Sequence, residues 1–415
     1  MAGRRATALV AAGTALIACT YGLARYGYGL FLPAFRSDFA LSPTLAGLLA
    51  TGGFSSYCAA ALLAPRLVGT GRSRSAAALA GALAAAGCVA VAAAQDVAVL
   101  GVAVLVAGSG AGLASPALVA LVDRTVPLDQ RPRAQTVVNA GTGLGVALAG
   151  PLALVLTGSW RVAWLCFALL TVLATVATLR AAAADDPPPA ARATGPAPVP
   201  WRRLRPAIAA ALLAGAGSAA VWTFGRDLVV TDGGLGAGQS TAFWILLGAA
   251  GITGSVAGDA VQRWGVPRSW TALALTVAAA TGGLALAPGT HAVAFTCAAV
   301  FGGSYVALSG VLIAWGTDLH PDSPGTANAV LFTTLAAGQA LGALALGGVA
   351  EVTGSPTAPF VLAAVVTAAS CLPLVGWLGG GRHPAASADR STPRSTDPRA
   401  GRAIRDRRPA RRLDP

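Results

Sequence analysis

Apolar positions in this chain gather into long blocks, broken by short stretches of Arg, Asp, Gly and Pro. Twelve blocks are long enough to cross about 30 Å of hydrocarbon as helices: residues 7–34, 43–65, 75–95, 97–122, 134–157, 160–180, 206–230, 240–261, 269–288, 291–316, 326–350 and 357–378. The third and fourth blocks, and the ninth and tenth, are separated by only a few residues. Between the sixth and seventh runs Ala181 to Arg205, with Asp185-Asp186-Pro187-Pro188-Pro189 and Trp201-Arg202-Arg203-Leu204-Arg205. Proline and charge at that density predict a solvated linker. The pattern predicts an all-α membrane protein of twelve transmembrane helices in two six-helix lobes. The lobes are residues 1–180 and 206–380, with a linker at 181–205 and a tail at 381–415.

Composition agrees with lipid as the solvent. Hydrophobic residues make up 55% and charged residues 11%, against about 25% charged in soluble domains. That excludes most soluble enzymes, and it excludes nucleic-acid binding as the main business despite a net charge of +13. All 29 basic residues are Arg. If the N-terminus is cytoplasmic, every Arg except Arg25, Arg36, Arg161 and Arg226 falls on a cytoplasmic segment. The positive-inside rule then predicts both termini in the cytoplasm of a bacterial cell, with a multi-pass chain in its membrane. The Arg-rich, Pro-rich tail from Arg382 is expected to be a disordered, solvated topogenic end rather than a lipid anchor. The six cysteines stand singly in apolar stretches without a C-x-x-C, so they predict packing rather than disulfides or a metal. Arg4-Arg5 and Leu16-Ile17-Ala18-Cys19 imitate a lipoprotein signal, but the apolar run continues to Pro33. A first span, not a cleaved leader, is expected.

The two halves echo each other. Tyr21-Gly22-Leu23-Ala24-Arg25 in the first span matches Trp222-Thr223-Phe224-Gly225-Arg226 in the seventh. Thr157-Gly158-Ser159 after the fifth matches Thr353-Gly354-Ser355 after the eleventh, at nearly the same offset. A parallel duplication of a six-helix unit puts two lobes around a central path. Gly258-Asp259, followed by Arg263, Gly265 and Arg268, looks like the loop motif of the major facilitator superfamily. The chain resembles that superfamily to about residue 380. The resemblance implies the major facilitator fold and secondary transport. It gives those five residues the role of a cytoplasmic gate, and it puts spans 1, 4, 5, 7, 10 and 11 around the cavity. In the first half Pro65-Arg66 replaces the motif's Asp-Arg, and Ala153-Leu154 replaces the glycine pair that follows Gly-Pro in the antiporter motif. The first departure removes the motif's charge relay with span 4 from the N-terminal lobe, and the second weighs against a drug/proton antiporter. Gly22-x-Ala24-Arg25-Tyr26-x-Tyr28-x-x-x-Leu32-Pro33 is similar to the first-span signature of the YbfB/YjiJ-type branch, which implies a transport class without naming a ligand.

Arg25 is the most informative residue. A charge so deep in a span costs at least about 2.5–3.5 kcal/mol on insertion scales, so it should face a polar cavity. On a regular helix Tyr21, Gly22, Tyr28 and Gly29 share its face. Two phenols and two gaps around a guanidinium predict a pocket for a planar anion held bidentately. No carboxylate stands at matching depth. Further candidates for contact with a small-molecule substrate are Asn139, which shares a face with Gln135 and Thr142; Trp222; Arg226; Tyr305; and Gln339, on the face of Asn328, Phe332 and Leu335. Each is equally explained as glue between helices. Asp227 is the candidate for a coupled proton.

The first reading is therefore a secondary transporter of a small organic anion, with Arg25 binding the anionic group. The alternative is a multidrug-type efflux carrier for apolar or cationic compounds, which would want an acid in the cavity. A membrane enzyme would show clustered His, Asp or Cys, and the three His are scattered. No cofactor or metal is expected. One chain of twelve spans already encloses a complete path, so a monomer is expected.

Overall fold

The structure, a computed structural model, describes residues 2–156, 159–182, 201–254, 257–321 and 323–374. Among the described residues there is no strand. The helices are α1 (Gly3–Phe39), α2 (Pro43–Gly69), α3 (Ser73–Ala93), α4 (Val97–Thr125), α5 (Leu128–Val155), α6 (Trp160–Ala181) and α7 (Trp201–Thr231). They continue with α8 (Ala237–Thr253), α9 (Ala257–Leu286), α10 (His291–Leu319), α11 (Pro324–Thr353) and α12 (Ala358–Leu374). Most of the linker, residues 183–200, and the whole tail expected at 381–415 lie outside the described residues.

Local chemistry sets the helix ends. The hydroxyl of Ser42 accepts from the Leu45 amide at 3.3 Å, and Pro43 opens α2 with its fixed φ. Asp96 caps α4 through Val99 N at 2.9 Å, which separates α3 from α4 in only a few residues. Arg5 donates to the carbonyls of Ala181 and Ala182 at the end of α6, and Arg161 does the same for Ala92 and Ala94 at the end of α3. Guanidinium groups thus serve carbonyls that a helix leaves unpaired.

Among the described residues, ten helices are long and apolar enough to cross a membrane. The twelve spans expected from the sequence are reduced on that measure because α8 and α12 are shorter. The apolar run expected at 240–261 leaves the α-helix after Thr253, where a Cβ on Gly254 would meet the backbone of α10 at 2.8 Å. Large apolar side chains such as Leu62, Val102, Leu169, Leu173 and Val365 stand exposed along the helices, as expected where lipid covers the surface.

The halves repeat in their packing. Within the first half α1 lies on α5 and α6, α2 on α4, and α3 on α4 and α6; within the second, α7 lies on α11 and α12, α8 on α10, and α9 on α10 and α12. Each pair recurs six helices later. The halves meet where α2 crosses α11, α5 crosses α8, and α1 crosses α7. Glycine makes the repeat visible in detail. A Cβ on Gly141 or Gly145 of α5 would come within 2.4 or 2.1 Å of the Thr14 or Ala18 carbonyl of α1; on Gly338 or Gly342 of α11 it would come within 2.2 or 2.1 Å of the Leu212 or Ala216 carbonyl of α7.

Both α1 and α7 carry a π-helical stretch at the repeated segment, Ala18–Arg25 in one and Ala220–Phe224 in the other. The Tyr26 amide reaches back five residues to the Tyr21 carbonyl at 2.9 Å. Such bulges collect at functional sites because they turn side chains away from the regular helical face.

Candidate functional site

The π stretch of α1 delivers Arg25 into the seam between the halves, where it is buried. Its guanidinium carbon lies 4.1 Å from the ring centre of Tyr57, 5.0 Å from Phe54, 5.1 Å from Tyr26 and 5.7 Å from Tyr21. Aromatic faces stabilise a cation by their quadrupoles. Nη2 donates to Gln339 Oε1 on α11 at 2.9 Å, and Gln339 Nε2 donates in turn to the Tyr305 hydroxyl on α10 at 3.1 Å. Tyr26 stacks on Trp222 of α7 at 4.2 Å, and Trp222 packs edge-on against Tyr305, Phe301 and Trp244. The chain has only five tyrosines, and all stand at this centre: Tyr21, Tyr26 and Tyr57 around the guanidinium, Tyr28 on the same cavity, and Tyr305 two hydrogen bonds away through Gln339.

A small cavity of about 10 Å³ adjoins Arg25, lined by Tyr26, Tyr28, Phe54, Trp222 and Thr223 among others. That is room for about one water. Arg25 Nε, Trp222 Nε1 and Thr223 Oγ1 are buried there without a partner. Each orphaned buried donor costs about 1–3 kcal/mol. Three groups able to donate, gathered on one cavity that no carboxylate among the described residues lines, want an acceptor-rich occupant.

A second cavity, of about 360 Å³, opens between Arg36, Pro43, Phe224, Asp227, Leu228, Glu351 and Phe360. Here two bridges join the halves. Arg36 of α1 pairs with Asp227 Oδ2 of α7, and Glu351 of α11 accepts from the Ser42 hydroxyl at 2.9 Å and the Thr44 amide at 3.0 Å. Asp227 is buried and its Oδ1 has no partner.

The other expected residues are distributed as follows. Arg226 donates to the Leu30 carbonyl, to Ser240 Oγ at 3.3 Å and to Thr241 Oγ1 at 3.1 Å, so it ties α7 to α1 and to the start of α8. Tyr28 donates to the Ala46 carbonyl of α2 at 2.8 Å. Of the face expected for Tyr21, Gly22, Tyr28 and Gly29, Tyr21 lies beside the guanidinium and Tyr28 and Gly29 line the cavity with Arg25. Gly22 lies against Gly145 and Val146 of α5, a close crossing of helices, and Gly29 lies against the Trp222 carbonyl while also bordering the cavity. Asn139 is exposed on α5 and makes no hydrogen bond among the described residues. The expected gate motif spans a break between two helical pieces, at Gly265. Gly258 and Asp259 open α9, their side chains lying outside the described residues, while Arg263 and Arg268 are exposed on either side of a kink at Gly265, whose φ is 74°. A left-handed φ of that kind is readily taken only by glycine.

Tyr26, Phe54, Tyr57 and Ser115 belong to the site and were not singled out by sequence. Tyr57 hydrogen-bonds Tyr21 at 3.2 Å, and Ser115 lies 2.9 Å from the Tyr21 hydroxyl. The available signal was Tyr57 itself, a phenol in the middle of an apolar span, three residues after Phe54.

Residues 14–343 match the family model of the Major Facilitator Superfamily. No curated protein sequence matches the chain. Among solved structures the chain is similar to a mutant of the nucleoside transporter NupG, with a TM-score of 0.69 at 10% identity over 89% of this chain and 99% of that one. It is also similar to a bacterial homologue of the human lysosomal transporter Spinster in its inward-facing occupied form, with a TM-score of 0.65 at 15% identity over 89% of this chain and 94% of that one. The unoccupied form of the same homologue gives 0.64 at 15% identity over 89% and 95%. Identities this low carry the fold and no ligand.

Proposed function

Because this chain belongs to the Major Facilitator Superfamily, we propose that it is a secondary transporter carrying a small organic anion across the cell membrane by alternating access. The observation that carries the anion reading is Arg25. It is buried between the halves, its Nε unpaired, among further donors without acceptors and beside a cavity that no carboxylate among the described residues lines. A ligand bearing negative charge supplies what that centre lacks. The test is thermal unfolding in detergent of wild type and Arg25→Gln with panels of carboxylates and lipophilic cations, followed by uptake into vesicles. Stabilisation by a carboxylate, lost in Arg25→Gln, is the expected result; equal stabilisation of both forms by cations removes the reading.

Several finer assignments go with it. α8 and α12 complete a set of twelve spans, in two lobes of six joined by residues 181–205. Both termini face the cytoplasm, and the chain works as a monomer. The first-span signature puts it in the YbfB/YjiJ-type branch. Asp227 takes the coupled proton: its free Oδ1 accepts it, and neutralising the carboxylate releases Arg36 and with it one bridge between the lobes. Gly258, Asp259, Arg263, Gly265 and Arg268 gate the cytoplasmic side. The alternative, efflux of cationic compounds, has one observation in its favour, the two carboxylates of Asp227 and Glu351 on the larger cavity. Both already hold donors, which keeps the anion reading first.

A further inference from the structure

The hydrogen bonds of Arg25 are distributed unevenly. Its Nε–H and one Nη2–H point the same way and form one edge of the guanidinium, the edge that a carboxylate fills with two parallel bonds. Nη2 is met by a single neutral oxygen, Gln339 Oε1 at 2.9 Å, and Nε is buried with no hydrogen-bond partner among the described residues. The amide therefore makes half of a carboxylate's contact. It also links the halves, since Gln339 comes from α11, Arg25 from α1, and the Gln339 amide nitrogen is held by Tyr305 of α10.

We propose that Gln339 is an internal placeholder for the substrate's carboxylate, and that the carried anion is a carboxylate on a flat apolar body. The inference rests on the anion reading of Arg25. When the substrate arrives, its two oxygens take Nε and Nη2, and Gln339 is displaced. The hydrogen-bonded chain from α1 to α10 through α11 breaks at its first link. Substrate binding and loosening of the central seam become one event, and a seam that stays tied without substrate suppresses empty cycling. The flat apolar body follows from the walls. Tyr26, Phe54, Tyr57 and Trp222 surround the guanidinium and its cavity with ring faces and edges, and an offset or edge-on arrangement against a second flat group is favourable. Trp222 Nε1 and Thr223 Oγ1, both unpartnered on that cavity, remain to meet a further acceptor on the ligand.

The test uses the full chain in detergent, with benzoate as the probe, benzamide as its neutral isostere and benzenesulfonate as a non-carboxylate anion, read by tryptophan fluorescence and thermal unfolding. The expected result has four parts. Wild type binds benzoate and not benzamide. Arg25→Lys, which keeps the charge and loses the edge, binds benzoate at least about tenfold more weakly. Gln339→Ala, freed of the competitor, binds it about three- to tenfold more tightly. Gln339→Glu, carrying the carboxylate internally, unfolds at a higher temperature and no longer responds to benzoate. A tighter-binding Gln339→Ala is not what loss of a merely structural residue produces, and that variant decides the matter should Gln339→Glu fail to fold. If benzoate binding depends on Arg25 but is unchanged or weaker in Gln339→Ala, the placeholder is overturned and the anion reading stands. Arg25-dependent binding of benzenesulfonate without benzoate overturns the carboxylate assignment alone. Binding of none of these probes overturns both.

Discussion

Single residues divide the work between two buried charges of opposite sign. Arg25 has aromatic faces and one amide oxygen for company, while Asp227 has Arg36 on one oxygen and nothing on the other. The Arg36–Asp227 pair is lopsided, with the arginine side chain 31% exposed and the aspartate 7%. Removing the arginine leaves a buried, unpaired carboxylate, whereas removing the acid leaves a guanidinium that can turn to water. We therefore expect Arg36→Gln to lower stability toward the lower end of the range of about 3–5 kcal/mol for breaking a buried pair, and Asp227→Asn to cost clearly less, as compared by thermal unfolding. Asp227→Asn separates the coupling role from the structural one. In proteoliposomes it is expected to abolish uptake driven by a pH gradient while leaving exchange of labelled for unlabelled substrate. Uptake that still follows the gradient in Asp227→Asn moves the coupling elsewhere.

Among the elements, the ordinary helices were legible in the sequence and the π stretches were not. Long apolar blocks bounded by Ser42-Pro43, Asp96 and Ser159 announce α2, α4 and α6, because a capping side chain and an apolar run are both local signals. The stretch Ala18–Arg25 has no such signal. Its extra residue is sustained by partners distant in sequence, since Gly22 crosses the backbone of Gly145 and Gly29 that of Trp222. A regular helix sets Tyr28 beside Arg25 but not Tyr26; in the protein both line the cavity with Arg25, and the Tyr26 ring lies 5.1 Å from the guanidinium carbon. The same crossings give a prediction with a built-in control. A Cβ at Gly145 or Gly342 would come within 2.1 Å of a carbonyl oxygen on α1 or α7, whereas at Gly348 it would meet nothing within 4 Å. Gly145→Ala and Gly342→Ala are each expected to cost about 1–3 kcal/mol, and Gly348→Ala to leave the unfolding temperature unchanged or higher. Equal behaviour of all three variants would mean that these crossings do not limit stability.

For the whole molecule, the echo between Tyr21–Arg25 and Trp222–Arg226 foreshadowed the repeated packing, because a duplication preserves residues where the two copies bend alike. What no local pattern announces is which face of the seam is held shut. Both polar bridges near the larger cavity, Arg36 to Asp227 and Ser42–Thr44 to Glu351, join the ends of α1, α2, α7 and α11 on the side away from the N-terminus of α1. If the termini face the cytoplasm, as proposed above, these bridges form the outer latch and the cavity between them a vestibule behind it. Ala350 lines that vestibule beside Glu351 and offers a reporter. In a background with the six native cysteines replaced by serine, Ala350→Cys should react slowly with a membrane-impermeant maleimide added outside intact cells. Adding Asp227→Asn and Glu351→Gln removes the charged halves of both bridges, and labelling should rise at least about fivefold, which corresponds to a shift of about 1 kcal/mol toward the outward-open form. Labelling that rises only in inverted vesicles would put the latch on the cytoplasmic side and reverse the orientation. An unchanged rate on both sides would mean that the small-residue crossings of α2 on α11 and α5 on α8 hold the seam without help from the bridges.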